Sequence, residues 1–534
     1  MFRLSAQELR CPLRAPLLLP LVAFLLGILS ANPQHWAAPF LLCLGVLAQF
    51  FRRRHRMATS LAIISLFGWL RATVAAEPPL PRSHLNRPRT MDLWVDRCTV
   101  KNYKNTQRIN GFAKLTALEG WKGPVGQQVY YNLVLERDQP IPHRGKSLHI
   151  RAVLHRTNFS ADNFERYLSS TGVRHRVDRG KVLAVLPGSP YFLWLSRLYA
   201  TSSKALQVGL EDESPIGHVY GAMMLGNRSR LSAEEKDIYS RVGIAHLFAV
   251  SGLHIGIVAA FLHAFTRRLP VHRFLLLALR LTILFCFVSM VGASPSALRA
   301  FSMVAALWSA PLFSRRTNGL SSLVLAALVT LILRPNDIYA TGFQFSYTVV
   351  FSLLFYGVPL GSLLRNRLLR PSPLFSVPRP TMGRLFSLLS RIWELCALSL
   401  AATFPLIPLS IYHFQTFSIG GIFLNPLAIP LAGFAIGCGF ASICCGFLHC
   451  NAGCLLCNSI ATPFLSIICG GAGAIGAFPW IQSAPMEIGF NATLLWTAAV
   501  CTAIYCCKYS EKKVLKFFLP AAVAVVPAFI GNFF

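Results

Sequence analysis

The apolar stretch FLLLALRLTILFCFVSMVGA, residues 274–293, contains a single charged residue, Arg280. A helix needs about 20 predominantly apolar residues to cross the hydrocarbon core of a bilayer, so this stretch is long enough to span a membrane. Comparable apolar segments lie near residues 15–31, 37–51, 58–76, 245–265, 298–313, 319–333, 342–362, 385–411, 419–448, 453–478, 489–507 and 517–533. The sequence therefore predicts a polytopic α-helical membrane protein with about thirteen apolar spans.

The composition agrees with lipid as the main solvent, because 54% of the 534 residues are hydrophobic and only 13% are charged. Soluble globular proteins are about 25% charged, so a purely cytosolic enzyme is excluded. The formal net charge is +31, which favours anionic partners such as lipid headgroups and nucleic acid. Most of the 15 cysteines lie inside apolar runs, where a thiol behaves as a small hydrophobic group, so no disulfide framework is implied.

A polar region over residues 82–190 interrupts the apolar segments. It contains five strand-like runs without strong helix signals, namely MDLWVDRCTV, QRINGFAKLTALEG, QQVYYNLVLE, KSLHIRAVLHR and KVLAVLP. Five short strands fit a small β-barrel of the OB type. In KSLHIRAVLHR, Leu148, Ile150, Ala152 and Leu154 alternate with a mostly basic set, so one face of this strand should be buried.

Aromatic residues of the polar region interleave with basic ones, as expected of a surface that stacks bases beside a charged backbone track. They are Trp94, Tyr103, Trp121, Tyr130 and Tyr131. Aromatic side chains of a small barrel more often belong to its core. We therefore predict nucleic-acid contact for the whole region and assign it to none of these residues.

The chain divides by composition into five parts. They are N-terminal transmembrane helices over 1–80, the OB-like domain over 82–190, an interfacial amphipathic helix over 191–210, a transmembrane domain over 215–450 and C-terminal transmembrane helices over 451–534. Arg52, Arg53, Arg54 and Arg56 lie between two early spans, and short basic loops are retained in the cytoplasm. This predicts a multi-pass protein of the cytoplasmic membrane with residues 82–190 on the extracytoplasmic side.

The stretch HLFAVSGLHIG, residues 246–256, opens an apolar span with polar and small residues: His246, Ser251, Gly252, His254 and Gly256. The two glycines are four residues apart, a spacing that lets a second helix backbone approach closely. Ionisable groups at membrane depth are costly and usually functional, so the histidines fit either a functional lining or hydrogen-bonded helix packing. On a straight helix Ser251 lies about 140° from His246, which gives little support to a nucleophilic Ser/His pair.

Four motifs occur in order along the apolar part of the chain. They are GAMMLGNRSRLSAEEKDIYSRVGIAHLFAVSGLHIG at 221–256, SPSALRAFSM at 294–303, RPNDIYATGFQFSYT at 334–348 and FPLIPLSIYHFQTFSIGGIFLNPLAIPLAG at 404–433. Together they resemble the signature of the ComEC family, the inner-membrane DNA-uptake channels of competent bacteria. In the polar region, NFERYLSSTGV at 163–173 is similar to a stretch of that family's OB-like domain.

The resemblance implies that residues 215–450 form a competence-type channel domain, which passes single-stranded transforming DNA through the bacterial inner membrane. The partners that it implies are single-stranded DNA, membrane lipids, and the DNA receptor and cytoplasmic motor of the competence machinery. The resemblance does not decide whether the chain forms a homodimer.

Arg299 is the clearest intramembrane candidate for DNA contact within these motifs, because a guanidinium can hold a phosphate through two parallel hydrogen bonds. Two alternatives are an arginine that snorkels to an interface and an arginine paired with Glu394. Arg280 lies outside the motifs and is interpreted as structural.

Three neutral residues of the motifs, Gln344, Ser346 and Asn425, could donate hydrogen bonds to a DNA strand. Three prolines could break helices so that backbone groups face a cavity. They are Pro295, Pro426 and Pro430. Helix packing explains each of these residues when it is taken singly.

No catalytic, metal or cofactor site is expected. Many members of the resembled family carry a C-terminal metallo-β-lactamase-like domain, but no HxHxDH-type cluster occurs in this sequence, so we expect that domain and its nuclease activity to be lacking here. Residues 145–147, Gly-Lys-Ser, end like a phosphate-binding loop, but Pro140 occupies the required first glycine position. The His and Cys residues within 449–457 lie in membrane sequence and make a poor metal site.

Two other function classes compete with the channel. The first is a multi-span transporter of lipid-linked or small anionic solutes, with the basic region as an interaction module. The second is an intramembrane hydrolase that uses Ser251 with His246 or His254, although the sequence offers neither an orienting acid nor an oxyanion site.

Overall fold

A computed structural model describes residues 18–31, 55–75, 85–102, 107–121, 126–136, 139–142, 144–157, 173–211, 214–313, 319–362 and 380–509, together with residues 39, 164, 165, 168, 523 and 524. The strands are β1 Pro88–Asn102, β2 Gln107–Leu118, β3 Gln128–Leu135, β4 Ser147–Arg156 and β5 His175–Leu186. The α-helices are α1 Leu18–Ser30, α2 His55–Ala75, α3 Pro190–Gln207, α4 Pro215–Leu225, α5 Ala233–Val242, α6 Gly252–Thr266, α7 Arg273–Met290, α8 Pro295–Ser309, α9 Gly319–Leu333, α10 Thr341–Ser352, α11 Pro380–Thr403, α12 Ile407–Phe414, α13 Gly420–Phe447, α14 Asn451–Gly476 and α15 Phe490–Tyr509.

The five strands close into a barrel in the order β1-β2-β3-β5-β4. Neighbouring strands are antiparallel except β3 and β5, which are parallel. This is the five-stranded Greek-key arrangement of an OB-fold. Leu148, Ile150, Ala152 and Leu154 on β4 are all buried, so the predicted alternation of this strand is confirmed. The expectation of a small barrel between apolar segments is confirmed as well.

The barrel aromatics divide between the core and the surface. Tyr131 is fully buried in the barrel core, and Trp121 is half-buried against it. Tyr130 lies on the outward side of β3, where its ring packs edge-on against Phe112 and Phe164. Tyr103 lies outside the described residues. The barrel therefore keeps an aromatic cluster on its outer surface as well as in its core.

The described helices pack around two hydrophobic cores. The first core joins α3 to α8 with α13 and α14, and includes Tyr220 and Phe248. The second core joins α1, α9, α10, α11, α12 and α15, and includes Phe24 and Ile411. Helix α8 takes part in both cores. Ala297 and several later residues pack into the first core, whereas Met303 packs against the second. We call the boundary between the two cores along α8 the seam.

Five helical stretches are long and apolar enough to cross a membrane, namely Arg273–Met290, Thr341–Ser362, Ser390–Phe414, Gly420–Phe447 and Asn451–Gly476. Shorter apolar helices are Leu19–Ser30, Thr59–Thr73, Gly252–Thr266, Gly319–Leu333 and Phe490–Ile504. Of the predicted spans, 37–51 and 517–533 fall almost entirely outside the described residues. The architecture is thus mostly helical with apolar spans, and the count of about thirteen stays a prediction.

The helix predicted over 191–210 is α3, which begins at Pro190 and ends at Gln207. One side is buried, and Asn458 of α14 donates from Nδ2 to the carbonyl oxygen of Ala205 at 2.9 Å. The other side exposes Tyr191 and Trp194. This two-sided character agrees with an amphipathic helix, and its position at the membrane interface stays a prediction.

The barrel is seated on the helices through Arg144, which precedes β4. Its Nε lies 3.1 Å from Oδ1 of Asp96 in the barrel, and its Nη1 donates to the carbonyl oxygen of Ser289, near the end of α7, at 3.4 Å. The guanidinium lies 5.6 Å from the ring centroid of Phe192 on α3, against which Trp94 of β1 also packs at 5.4 Å. We call this set of contacts the Arg144 joint, because it ties the barrel to two helices at once.

Candidate functional site

The turn between α5 and α6 carries the first histidine of the predicted site. Helix α5 ends at Val242, and the next residue, Gly243, adopts a left-handed conformation with φ of 82°. A 3₁₀ turn follows over Ala245–Phe248. His246 is exposed, and its Nδ1 lies 3.1 Å from the carbonyl oxygen of Gly243, to which it can donate a proton. The ring is thereby held beside the end of α5 rather than on α6.

Ser251 and His254 form the N-terminal cap of α6. The Ser251 hydroxyl accepts from the backbone N–H of Leu253 at 3.3 Å, and the Ser251 backbone N–H donates to Nδ1 of His254 at 3.2 Å. The Nδ1 atom therefore acts as an acceptor, which places the ring proton on Nε2. The hydroxyl of Ser251 also lies 3.0 Å from His254 Nδ1. This reciprocal arrangement is a capping box, which satisfies backbone groups at a helix start.

The sequence offered Ser251 with His254 as one possible hydrolase pair, and the two side chains do lie within hydrogen-bond distance. In the described part of the chain no carboxylate hydrogen-bonds His254, which is 1% exposed. A nucleophilic serine needs an oriented base and an oxyanion site. The capping role accounts for the geometry of the pair.

The two glycines of this motif have different surroundings. A Cβ atom on Gly252 would lie 3.6 Å from the Cβ of Ala300 on α8, which is ordinary van der Waals contact. No described atom lies within 4 Å of a Cβ atom on Gly256. The expected close approach of a second helix backbone therefore does not occur at Gly256, which instead borders open space.

Arg228 holds the turn that carries His246, and sequence reasoning did not single it out. Its Nε donates to the carbonyl oxygen of Phe248 at 2.9 Å and its Nη2 to that of Ala245 at 2.8 Å. The planar guanidinium thus bridges the first and last residues of the 3₁₀ turn. Arg228 lies inside the 221–256 motif, but no local pattern indicates that it reaches residues 17 and 20 positions away.

Replacing Arg228 with alanine should loosen this turn. Loss of two hydrogen bonds from a solvated charged group corresponds to about 2 kcal/mol, so exchange of the Leu247 and Ser251 amide hydrogens should accelerate about thirtyfold. Arg230 lies on the same 3₁₀ turn, Arg228–Arg230, and makes no described hydrogen bond to residues 245–248. Arg230→Ala is therefore the matched control. Equal exchange rates in the two variants would contradict the proposed clamp, by which we mean the two hydrogen bonds from Arg228 to the turn.

Ser294 connects the segment between this turn and α6 to α8. Its hydroxyl donates to the carbonyl oxygen of Val250 at 3.3 Å and accepts from the backbone N–H of Ala297 at 3.2 Å. Pro295 is the first residue of α8, a position where the missing N–H costs nothing. Pro295 therefore starts a helix rather than breaking one, and the turn before α6 is fixed against the helix that carries Arg299.

Arg299 lies at the seam and is 2% exposed. Its Nη2 donates to the carbonyl oxygen of Gly342, near the start of α10. The guanidinium carbon lies 5.7 Å from the ring centroid of Phe343 and 5.2 Å from that of Tyr347, both on α10. These rings supply cation–π contact to a charge that is enclosed by protein.

The guanidinium of Arg299 is only partly satisfied. Its Nε and Nη1 atoms have no hydrogen-bond partner among the described residues. The described ion pairs do not include Arg299, so the pairing with Glu394 that the sequence left open is not present. Asp337 attracts this charge but forms no described ion pair with it. Burying a charge without such a pair is costly, and ionisable groups at membrane depth are usually functional.

Gln344 belongs to a polar chain on α10 and α12 near Arg299. Its Nε2 donates to the carbonyl oxygen of Ile338 at 2.9 Å, and its Oε1 lies 2.8 Å from Nε2 of His413. The hydroxyl of Thr341 lies 3.3 Å from Nδ1 of the same histidine. His413 therefore belongs to the candidate site although only the motif around it was noted from the sequence. Ser346, on the same helix, is half-buried and makes no described hydrogen bond.

Asn425 lies on α13 and is 8% exposed, and its Oδ1 has no described hydrogen-bond partner. The adjacent Pro426 and the later Pro430 lie inside this continuous helix. The expectation that they break the helix is therefore wrong. Because proline lacks an N–H, they still leave the carbonyl groups of Ile422 and Pro426 without their usual helical donors.

The structure brings together some of the predicted residues and separates others. It joins Ser251 to His254 in one cap. It also places Arg299 against Gly342 at the start of α10, and Gly342 lies two residues before Gln344. No described hydrogen bond or ring contact links His246 or Asn425 to Arg299. In the described ranges no group of three His, Cys, Asp or Glu residues is arranged to hold a metal ion, which includes the cluster within 449–457.

Comparison with known proteins gives three findings. The family model described as "Competence protein" matches residues 223–509, which is more than half of the chain. ComE operon protein 3 of Bacillus subtilis (strain 168) is 30% identical over 215 residues, or 40% of this chain and 24% of the relative. The uncharacterized protein YcaI of Escherichia coli (strain K12) is 25% identical over 294 residues, or 54% of this chain and 36% of that protein.

The aligned regions thus span between about a quarter and about a third of these curated relatives. No solved structure matches the chain.

Proposed function

Because this chain belongs to the competence protein family, we propose that it forms a channel that takes up single-stranded transforming DNA across the cytoplasmic membrane. The family and the apolar helices make it a membrane protein with a place in competence. The channel role, the DNA strand and the residues that contact it are parts of the proposal.

The observation that carries the proposal is the buried, partly unsatisfied guanidinium of Arg299 at the seam. Two of its nitrogen atoms lack a described acceptor, although the group is 2% exposed. A passing phosphate would supply these acceptors through charge-assisted hydrogen bonds. The seam also lies between two hydrophobic cores, and binding sites occur preferentially at such boundaries and between helices of bundles.

Neutral groups beside the seam would complete a narrow path. Gln344 and His413 present a hydrogen-bonded pair on α10 and α12, and the unsatisfied Oδ1 of Asn425 on α13 could accept a hydrogen bond from a base. A conducting path needs contacts that are favourable enough for entry and weak enough for release. Neutral polar groups together with one cation meet that need better than a row of arginines would.

We further propose that the barrel stands outside the membrane and collects DNA before it enters the helical part. No phosphate-binding loop occurs in this sequence, so the driving force would come from a cytoplasmic motor or the proton gradient. Catalysis on the DNA would belong to other proteins, and a DNA receptor would deliver the strand. The chain could act as one copy or as a homodimer.

The proposal can be tested with purified protein reconstituted into liposomes. The vesicles enclose a single-strand-binding protein, which acts as a trap, and receive fluorescent single-stranded DNA outside. We expect fluorescence to become protected from added nuclease in vesicles with the protein and to stay unprotected in empty ones. Failure to protect DNA in vesicles with correctly oriented protein would reject the channel.

The same vesicles distinguish the competing transporter. Radiolabelled inorganic phosphate, a small anion, should not accumulate in vesicles that import DNA. Phosphate accumulation without DNA protection would favour a transporter of small anionic solutes.

A further inference from the structure

Two cysteines lie at the ends of the turn that joins α13 to α14. His449 has a left-handed backbone with φ of 56°, and the turn around it is a Schellman motif. The N–H of Cys450 donates to the carbonyl oxygen of Cys445 at 2.9 Å, and the N–H of His449 donates to that of Gly446 at 3.1 Å. This motif commonly brings together apolar side chains from its two outer positions. Here both outer positions carry a thiol.

The longer of these hydrogen-bonded rings fixes the backbone separation of the thiol pair. A carbonyl oxygen lies about 2.4 Å from its own Cα atom, and an amide nitrogen lies about 1.5 Å from its own. With a hydrogen bond of 2.9 Å between them, the Cα atoms of Cys445 and Cys450 are at most about 6.8 Å apart. Disulfides join residues whose Cα atoms lie about 4.4–6.8 Å apart. The turn therefore holds the two backbones within the range of a disulfide.

Gly453 on α14 leaves room for both sulfur atoms. A Cβ atom on this residue would lie 2.8 Å from Sγ of Cys445 and 3.2 Å from Sγ of Cys450. Because both sulfur atoms border the same point, they are at most about 6 Å apart. Both cysteines are free thiols in this structure. Rotation of the two side chains about their Cα–Cβ bonds would bring the sulfur atoms together.

The two thiols differ in their access to water. Cys450 is exposed and lies between two stretches that are long enough to cross a membrane, Gly420–Phe447 and Asn451–Gly476. Cys445 is half-buried, and its thiol is hydrogen-bonded to that of Cys457 on α14. A reagent in the water phase therefore meets Cys450 first, with Cys445 as the neighbouring thiol.

We propose that Cys445 and Cys450 form a reversible disulfide, which makes this turn a site of oxidative modification. The Cys450 thiolate attacks one sulfur of a small-molecule disulfide, whose S–S bond breaks and releases one thiol. The Cys445 thiolate then attacks the Cys450 sulfur of the mixed disulfide and releases the second thiol. Two electrons pass from the cysteines to the reagent, and the two cysteine protons end on the released thiols. The proposal is independent of the channel.

The disulfide would restrain the turn between the two helices that hold α3. The carbonyl oxygen of Ala205 on α3 accepts from the hydroxyl of Ser442 on α13 at 3.2 Å and from Nδ2 of Asn458 on α14 at 2.9 Å. Helix α3 also carries Phe192, on which the barrel is seated. A covalent link across a short loop removes conformations in which that loop is open. Oxidation should therefore make this support of the barrel more rigid.

The test uses the full chain in nanodiscs, treated with oxidised glutathione and, as the reduced reference, with dithiothreitol. Thiols are alkylated with one reagent before reduction and with a second reagent after it, and the peptides across residues 440–460 are identified by mass spectrometry. We expect a peptide that has lost two hydrogen atoms and is linked between Cys445 and Cys450. Cys444 is exposed but points about 100° away from Cys445 around α13, so it should take no part in the link.

Hydrogen exchange measures the effect of the link on the turn. The N–H of Cys450 donates to Cys445 and the N–H of Cys454 donates to the carbonyl oxygen of Cys450, so these two amides report on opening of the turn. Oxidation should slow their exchange about tenfold. Cys450→Ser should abolish both the link and the slower exchange. Cys444→Ser is the matched control and should keep both.

A link between Cys445 and Cys457 would overturn the assignment of the pair. Glutathione on single cysteines without an internal link would overturn it as well, and would leave the two thiols as ordinary apolar packing in the turn. Each of these results comes from the wild-type chain, so none depends on whether a variant folds. They also leave the channel proposal as it stands, because import into vesicles tests that proposal separately.

Discussion

Arg299→Ala should lower import of single-stranded DNA per inserted molecule on the order of a hundredfold. Removing one partner of a buried, charged contact costs about 2–5 kcal/mol, and each 1.4 kcal/mol corresponds to a factor of about ten. The variant loses the two unsatisfied nitrogen atoms that the proposal assigns to phosphate, as well as the stacking on Phe343 and Tyr347. The measurement is nuclease-protected fluorescence in the liposomes, normalised to inserted protein.

A second buried arginine provides the matched control. Arg280 on α7 is 9% exposed, its Nε donates to the hydroxyl of Thr266 at 2.7 Å, and its guanidinium lies 5.9 Å from the ring centroid of Trp308. Arg280→Ala should reduce the yield of inserted protein and leave import per molecule near wild type. Arg299→Lys should fall between wild type and alanine, because lysine keeps the charge and loses the planar fork. Equal import by the Arg299 and Arg280 alanine variants would remove the main support for the channel.

Acid should destabilise the barrel through His175, the first residue of β5, which is 3% exposed. Burial, with repulsion from Arg156 and Arg174, lowers the pKa of this imidazole to about 4 from an ordinary value of 6.5. Between pH 4 and pH 6.5, His175 binds a proton in the unfolded chain but stays neutral in the folded barrel. The free energy of unfolding should therefore fall as the pH drops from 6.5 to 4, by about 3 kcal/mol in total.

Hydrogen exchange of the β5 amides in the full chain, corrected for the intrinsic rate at each pH, measures this loss. His175→Gln removes the titrating group and should flatten the dependence in that window. Above pH 7 the imidazole of His175 is neutral in both the folded and the unfolded state, so it should not alter the exchange protection of the β5 amides in the wild type. A steep loss that persists in the glutamine variant would assign the acid sensitivity to other groups.

The sequence was sufficient to predict the barrel because its strands carry local signals. Each predicted run overlaps one observed strand, and the alternation in β4 identified which side chains are buried. The order of the strands and the parallel pairing of β3 with β5 could not be read from these runs, since register depends on contacts between distant segments. Helices were found for the same local reason, through long apolar runs.

The candidate site was predicted only in part, because its decisive contacts join residues far apart in the chain. Arg299 and Gln344 were found since polar groups stand out in apolar sequence. The clamp by Arg228 and the pairing of His413 with Gln344 have no periodic signal and depend on how helices are placed. Local reasoning also failed at Pro426 and Pro430, because neighbouring helices support α13 against the loss of two hydrogen bonds.

The Arg144 joint sets a condition on hybrids built from related chains. If the barrel alone were replaced by that of a related chain, a different loop would stand in place of the one that carries Arg144. The contacts of Arg144 with the ring of Phe192 and with the carbonyl oxygen of Ser289 would then be lost. Any carbonyl at the end of α7 can accept the hydrogen bond, whereas the ring is specific to α3. Grafts should therefore be cut after Gln207 rather than before Pro190, so that the donor supplies the arginine and its aromatic seat as one unit.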